Sequence, residues 1–479
     1  MKTFVLSLSV VALAAASHLA AAQPQKDPNL EIVELQLSPA ALPRPALRHR
    51  LAPSYLDQAP GNAATLYAKA FLLLAQQPKA DEPTAEKYLK WLETPPSELP
   101  RAEVAAFLAN YRSALREVEM AARRPQCDWD LPIRETDDVM GILLPEVAAA
   151  RDVGRLLALR ARLQIAEQKY EQAVDSLRSG YTLARQVARQ PLLVSGLVGN
   201  AIAAMMNAQV QALAQSPKSP NLYWALAGLP DPLVDLRPAF ELESVTVYLM
   251  FPELQPARRY NRSPEQWRVF ALGLLAQLKA LTEGSTEPAG LLETLTDAAK
   301  AATWLASAAP KAKAGLVAMG HARAEVEAMT PEQAVAIHTA ETFDDLRDEM
   351  FKWFYLPYWQ ARERAQRAER ELTAEGKQRE VVPLASLLLP AVGKAHFSAA
   401  RLQRQVAALR CIEALRAYAA RHDGKLPARL DDLTETPLPP NPVTGKPFPY
   451  RLEGAGAVLS ADGPADLPRV EYRLTIAKP

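Results

Sequence analysis

Residues 151–213 read RDVGRLLALRARLQIAEQKYEQAVDSLRSGYTLARQVARQPLLVSGLVGNAIAAMMNAQVQAL, and the spacing inside this stretch decides the fold class. Leu156, Leu157, Arg160, Ala161 and Leu163 begin one helical pattern; Gln168, Lys169 and Tyr170 make a turn; Ala173, Val174, Leu177, Gly180, Tyr181 and Ala184 carry a second pattern at steps of three and four. A third pattern follows Pro191. Three helices joined by short breaks imply antiparallel neighbours.

The stretch resembles a tetratricopeptide repeat, a helical hairpin that needs small residues where its two helices cross. Ala161, Ala173 and Gly180 fall on the small positions, Leu177 on the large one, and Tyr170 lies just before the second helix. Arg160 and Gln164 depart from the pattern, since those positions are usually apolar or aromatic, and Pro191 comes late. A solenoid of this class needs about three repeats for stability. With one repeat-like unit, the chain reads as an irregular helical-hairpin array whose scaffold residues are Ala161, Ala173, Leu177 and Gly180.

Outward from this hairpin, helices dominate residues 61–380. Leu66, Ala70, Leu73 and Leu74 form a helical pattern over Ala63 to Gln76, and Val104, Phe107, Leu108, Tyr111 and Leu115 form another over Ala102 to Ala122. Ser263-Pro264-Glu265-Gln266 and Thr330-Pro331-Glu332-Gln333 are capping boxes with proline at the first helical position, so they fix two helix starts. Composition agrees: 40 prolines and 19 glycines favour helices with proline-marked ends over glycine-rich β structure. Residues 23–60 carry seven prolines and little periodicity, and read as an extended lead-in rather than a folded domain.

From Leu384 the character changes. Leu402, Val406, Leu409, Ile412, Leu415 and Tyr418 form an apolar stripe on a long helix, which ends at His422-Asp423-Gly424. A short helix from Ala428 to Leu433 and a proline-rich turn follow, then three strands over Phe448 to Leu452, Ala457 to Ser460 and Val470 to Ile476. This order resembles the soluble part of type II secretion pseudopilins and pilin-like proteins, with Leu388 to Val392, Tyr418, Gly424 to Pro427, Leu430, Leu433 and Asn441 to Tyr450 in corresponding places. The resemblance implies a module over residues 383–479 in which the long helix packs on an antiparallel sheet. No Gly-Phe-Thr-Leu-Ile-Glu processing site precedes the helix, so a filament role is not implied. The family's calcium loop falls at Ser460 to Asp466, which lacks most of the oxygen ligands such a site needs, and a plain Asp-Gly turn is the better reading. The chain as a whole is similar to secreted planctomycete proteins, a likeness that implies an origin and no activity.

Residues 1–22 read as a secretory signal. Lys2 supplies the positive end, Phe4 to Ala16 the apolar segment, and Ala20-Ala21-Ala22 the cleavage site. The apolar segment is shorter than the ~20 residues that span a bilayer, so no integral membrane segment is expected after cleavage, and the protein should be periplasmic or secreted. Basic and acidic residues number 55 and 54, and loss of Lys2 makes them equal, which argues against a nucleic-acid partner. Cys127 and Cys411, the only cysteines, would then meet an oxidising compartment. They either form a disulfide or sit as two small buried hydrophobes, and no bond essential to folding is expected.

No catalytic residue, cofactor or metal site is assigned. His49, His321, His338, His396 and His422 form no i, i+4 pair or H-E-x-x-H motif; Ser195 lacks the flanking glycine of a hydrolase elbow; no phosphate-binding loop is present. Carboxylates cluster at Glu135 to Asp138 and at Asp344 to Glu349, where helix N-terminal acid enrichment explains them. Phe351, Trp353, Phe354, Tyr355, Tyr358 and Trp359 make one aromatic set. Their helical spacing is that of a core face, with Trp353, Tyr358 and Trp359 the residues that could form an aromatic surface. The function these readings favour is that of a mainly α, extracytoplasmic scaffold for a protein partner. The alternative is a carbohydrate hydrolase whose carboxylates meet only in the fold.

Overall fold

Ser263 starts its helix with the reciprocal capping box its sequence implies, and Thr330 starts its own with the N-cap half of one. Gln266 N donates to Ser263 Oγ and Ser263 N to Gln266 Oε1, while Gln333 N donates to Thr330 Oγ1. The computed structural model describes residues 30–479 apart from 78–81, 134, 136–141, 143, 256–261, 283–296, 375–378, 390–391, 464–467 and 478–479, so the expected signal segment lies outside the described residues. In the first half the helices are α1 (Ala63–Ala75), α2 (Glu82–Glu93), α3 (Arg101–Ala109), α4 (Arg112–Ala122), α5 (Pro145–Ala166), α6 (Tyr170–Val187), α7 (Leu193–Gln215) and α8 (Tyr223–Ala227). The second half holds α9 (Arg237–Met250), α10 (Pro264–Thr282), α11 (Ala298–Ala318), α12 (Arg323–Ala328), α13 (Pro331–Phe351), α14 (Tyr358–Ala374), α15 (Leu384–Leu388) and α16 (Val392–Arg421). The fold is mainly α with a small sheet.

α5 and α6 form the hairpin, with Ala161, Ala173, Leu177 and Gly180 all buried. α7 lies across both of them. A Cβ on Gly180 would collide with Met206 of α7, and one on Gly199 would stand 2.5 Å from the Ala184 carbonyl oxygen of α6, so the backbones approach as closely as glycine permits. Arg160 and Gln164, the departures from the repeat pattern, form a polar joint. Arg160 donates to Ser176, Ser176 donates to Gln164 at 2.7 Å, and Arg160 pairs with Glu119 of α4 at 2.7 Å. α7 is the one helix among the described residues long and apolar enough to cross a membrane, and 61% of that apolar window is buried inside the protein.

The sheet corrects two expectations. Strands form at β2 (Tyr450–Glu453), β3 (Gly456–Ala461) and β4 (Arg469–Ile476), as expected, but a fourth, β1 (Leu30–Leu37), joins them from the lead-in segment. The order is β1-β4-β3-β2, and β1 runs parallel to β4 with Leu35 opposite Leu474, so the sheet is mixed, not antiparallel. The module over residues 383–479 therefore takes an edge strand from the start of the chain. Leu35 and Leu37 are buried in the same core as Leu474, Leu415 and Leu213.

α16 organises both halves. It runs parallel to α7 with two polar rungs seven residues apart, Asn200 donating to Ser398 at 3.1 Å and Asn207 donating to Gln405 at 3.3 Å. Further along, Arg416 and Glu413 form a fully buried pair at 2.8 Å. Arg416 also donates to the carbonyls of Ser38, Ser219 and Pro220 and to Ser219 Oγ, while Glu413 accepts from Leu222 N at 2.9 Å. Arg404, also buried, donates to the Ala461 and Pro468 carbonyls on either side of the β3–β4 loop.

Of the two arrangements left open for the cysteines, the structure has the second. Cys127 and Cys411 are both free and buried; Cys127 sits before α5 beside Ala64 and Arg189, whereas Cys411 faces the core on α16. Burial pushes both thiols up to about 12, which leaves them protonated and unreactive at neutral pH.

The buried pair yields a test. Arg416→Met should lower stability by about 3 to 5 kcal/mol, because it strands the Glu413 charge and leaves three carbonyls without donors. Arg416→Lys should fall between that variant and the parent, since one ammonium cannot reproduce the fork. Urea unfolding followed by far-UV circular dichroism measures both, and an Arg416→Met midpoint equal to the parent's would show that the pair is dispensable.

Candidate functional site

Proline decides the shape of the aromatic turn. Pro357 cannot continue a helix and disfavours α geometry in the residue before it. Accordingly α13 stops at Phe351, Lys352–Tyr355 form a 3-10 turn, Leu356 is extended at φ −104° and ψ 154°, and α14 restarts at Tyr358. The turn points Phe351 and Phe354 inward: Phe354 stacks on Phe240 of α9 at 4.5 Å and meets Phe351 edge-on at 5.4 Å. Anchoring Phe354 leaves its neighbours outside. Tyr355 is 76% exposed, Leu356 41% and Trp359 49%.

The three aromatics singled out in the sequence take different places. Trp353 is half-buried between two cations, with Lys352 Nζ and Arg364 Cζ at 5.1 and 5.4 Å from its ring. Trp359 lies over Gly445, a left-handed glycine at φ +70° whose missing Cβ would stand 2.6 Å from the indole. Tyr358 is half-buried and faces inward, 5.0 Å from the ring of His396 on α16. Tyr355 and Leu356 are the surface residues that helical spacing missed, because the helix does not run through Pro357.

Behind the turn lies a cavity of about 190 Å³ between the end of α13, α14 and the first turn of α16. Phe354, Tyr358 and Phe397 form its aromatic wall, and Arg362, Glu369, Lys394 and His396 bring polar groups to it. Burial among Phe240, Phe354 and Tyr358 pushes His396 down to about 4, so it is neutral at pH 7. Burial raises Glu369, an effect opposed by the Lys394 charge.

The other polar candidates are held in structural pairs. Asp344 accepts from the Tyr248 hydroxyl and pairs with Arg347 at 3.0 Å; Asp345 pairs with Arg379, Asp348 with Arg347, and Glu349 with Lys352. Ser195 is buried and bonded to Gln190, whose amide donates to Glu146 at 3.0 Å. His321 meets Glu341 at 2.8 Å, and burial pushes His338 down to about 4. Among the described residues no group of three metal-ligating side chains comes together. In the loop compared with a calcium site, Asp462 faces Arg469 at 3.2 Å, and Asp466 and most of Glu135 to Asp138 lie outside the described residues.

In comparisons with protein families, curated proteins and solved structures, no significant match to the chain is found.

One carboxyl behaves unlike the paired ones. Glu243, on α9 one turn beyond Phe240, is pushed up to about 7 by desolvation alone. A carboxyl whose folded pKa lies above its unfolded value loses stability as pH rises from the unfolded value, about 4.5, toward 7. Glu243→Gln should therefore stabilise the protein by roughly 1 to 3 kcal/mol at pH 8 and change little at pH 4.5. Thermal melts of both proteins at the two pH values decide it; an equal difference at both would place the Glu243 carboxyl in water.

Proposed function

We propose that the chain is an extracytoplasmic helical scaffold that holds a protein partner against the turn between α13 and α14. The observation that carries this reading is the exposure of Tyr355, Leu356 and Trp359 within five consecutive residues, on a turn fixed from within by Phe351 and Phe354. Large apolar side chains grouped on a surface mark interaction sites, and Trp, Tyr and Arg are the residues that most often dominate binding energy. Arg364 beside Trp353 adds the charged rim such a site uses. The signal-like start of the sequence supports a location outside the cytoplasm. The hydrolase alternative draws no support from Asp344 to Glu349, since their acids face cations or a tyrosine hydroxyl.

A Tyr355→Ala/Trp359→Ala variant tests the reading. Tyr355 is exposed and Trp359 packs on Gly445 outside the core, so the fold should be kept with only a small drop in melting temperature, while capture of partners from the native envelope should fall at least tenfold. Equal capture by both proteins would sink the proposal. So would turnover of a polysaccharide by the purified chain that a single carboxylate substitution abolishes.

A further inference from the structure

We propose that the turn at Tyr55 and Leu56 docks the protein on an anionic lipid surface, its two side chains entering the headgroup layer and the arginines of the same segment meeting the lipid phosphates. This surface is separate from the aromatic turn between α13 and α14, and the proposal does not rest on the reading of that turn. Three observations carry it.

The first is exposure. Leu56 is 93% and Tyr55 86% exposed, the two most exposed large apolar side chains among the described residues. Leu47 on the same segment is exposed as well. Single apolar residues on a surface are ordinary, whereas two adjacent ones standing almost wholly clear of the protein form a projection. A protein partner would need a socket shaped for both. A bilayer interface takes an apolar tip without one.

The second is rigidity. Tyr55–Asp57 form a 3-10 turn in which Ser54 N and Oγ donate to the Asp57 carboxylate at 3.1 and 2.7 Å, and Asp57 N donates to the Ser54 carbonyl at 3.0 Å. Before the tip, His49 and Leu51 are buried; after it, Ala59 N donates to the Arg123 carbonyl at 2.9 Å. Held at both ends, the turn presents its side chains already ordered, so little conformational entropy is lost on docking.

The third is charge. Arg178 of α6 donates to the Arg50 carbonyl at 3.2 Å, which seats the segment on that helix. The acids beside it are already answered. Glu171 pairs with Arg48 at 2.9 Å and Asp175 with Arg178, while the two Ser54 bonds, helped by the Arg178 and Arg123 charges, hold the Asp57 carboxyl below its ordinary range. Arg44 and Arg50, on either side of Leu47, are exposed, and among the described residues neither pairs with a carboxylate. An apolar tip on a segment with uncompensated arginines complements a surface of lipid phosphates.

Co-sedimentation of the full chain with phosphatidylcholine vesicles containing phosphatidylglycerol tests the surface, with pure phosphatidylcholine vesicles as the neutral control. The expected result is binding to the anionic vesicles with an apparent Kd below about 1 mM lipid, at least about tenfold weaker binding to the neutral ones, and loss of binding in strong salt. Tyr55→Ser/Leu56→Ser and Arg44→Gln/Arg50→Gln should each weaken it about tenfold, with melting curves to identify any variant that has unfolded. Tyr355→Ala/Trp359→Ala should leave it unchanged. The signal-like segment is common to every variant, so it does not account for a difference between them. Leu56→Cys introduces one exposed thiol, because Cys127 and Cys411 are buried; an environment-sensitive fluorophore attached there should shift to the blue on anionic vesicles. A parent chain that stays in solution with anionic vesicles, equal binding to neutral ones, full affinity in a folded Tyr55→Ser/Leu56→Ser variant, or a label that remains in water on bound protein would each overturn the proposal.

Discussion

The Glu413–Arg416 pair is the constraint on which the arrangement of the chain depends. Two charges out of water cost more than their mutual attraction returns unless hydrogen bonds complete both shells. Here they do: the guanidinium reaches Glu413, the Ser38 carbonyl that follows β1, and the Ser219 and Pro220 carbonyls between α7 and α8. Asn221 reinforces the same junction, donating to the Glu413 carbonyl at 2.7 Å and to the Ala40 carbonyl at 3.2 Å. Three segments far apart in sequence therefore share one buried polar knot. Apolar packing alone tolerates sliding and repacking, whereas a satisfied buried ion permits one register.

That register is transmitted along α7. Its Gly199 presses against α6 on one side, and its Asn200 and Asn207 bond to α16 on another, with Tyr181 of α6 donating to Asn207 at 2.7 Å. The helix is apolar because it is enclosed by α5, α6 and α16. Its length and hydropathy are those of a core helix in a large helical body, and its buried polar residues are the ones that select which neighbour lies where.

Local signals were legible in the sequence and long-range ones were not. The capping boxes, the hairpin, the left-handed Gly424 after α16 and the three C-terminal strands are each determined within a few residues, and the structure has them where the pattern puts them. β1 was missed because its partner β4 lies at the other end of the chain, and a parallel pairing leaves no turn to read. The apolar stripe on α16 was visible, but residues 411–417 are buried all round, including Glu413 and Arg416, which sequence alone places in solvent. Arg160 and Gln164 looked like defects in a repeat because their partners, Glu119 and Ser176, are defined only in the fold.

The aromatic turn shows how a single proline converts a core pattern into a surface. Had α13 continued, Tyr355, Tyr358 and Trp359 would have shared one stripe with Phe351 and Phe354. Pro357 restarts the helix instead, so Phe354 stays inside against Phe240 while Tyr355 and Leu356 swing out. The same break turns Tyr358 back toward His396 and opens the space between α14 and α16. Patch and cavity are thus two faces of one turn, with Phe354 as their common wall.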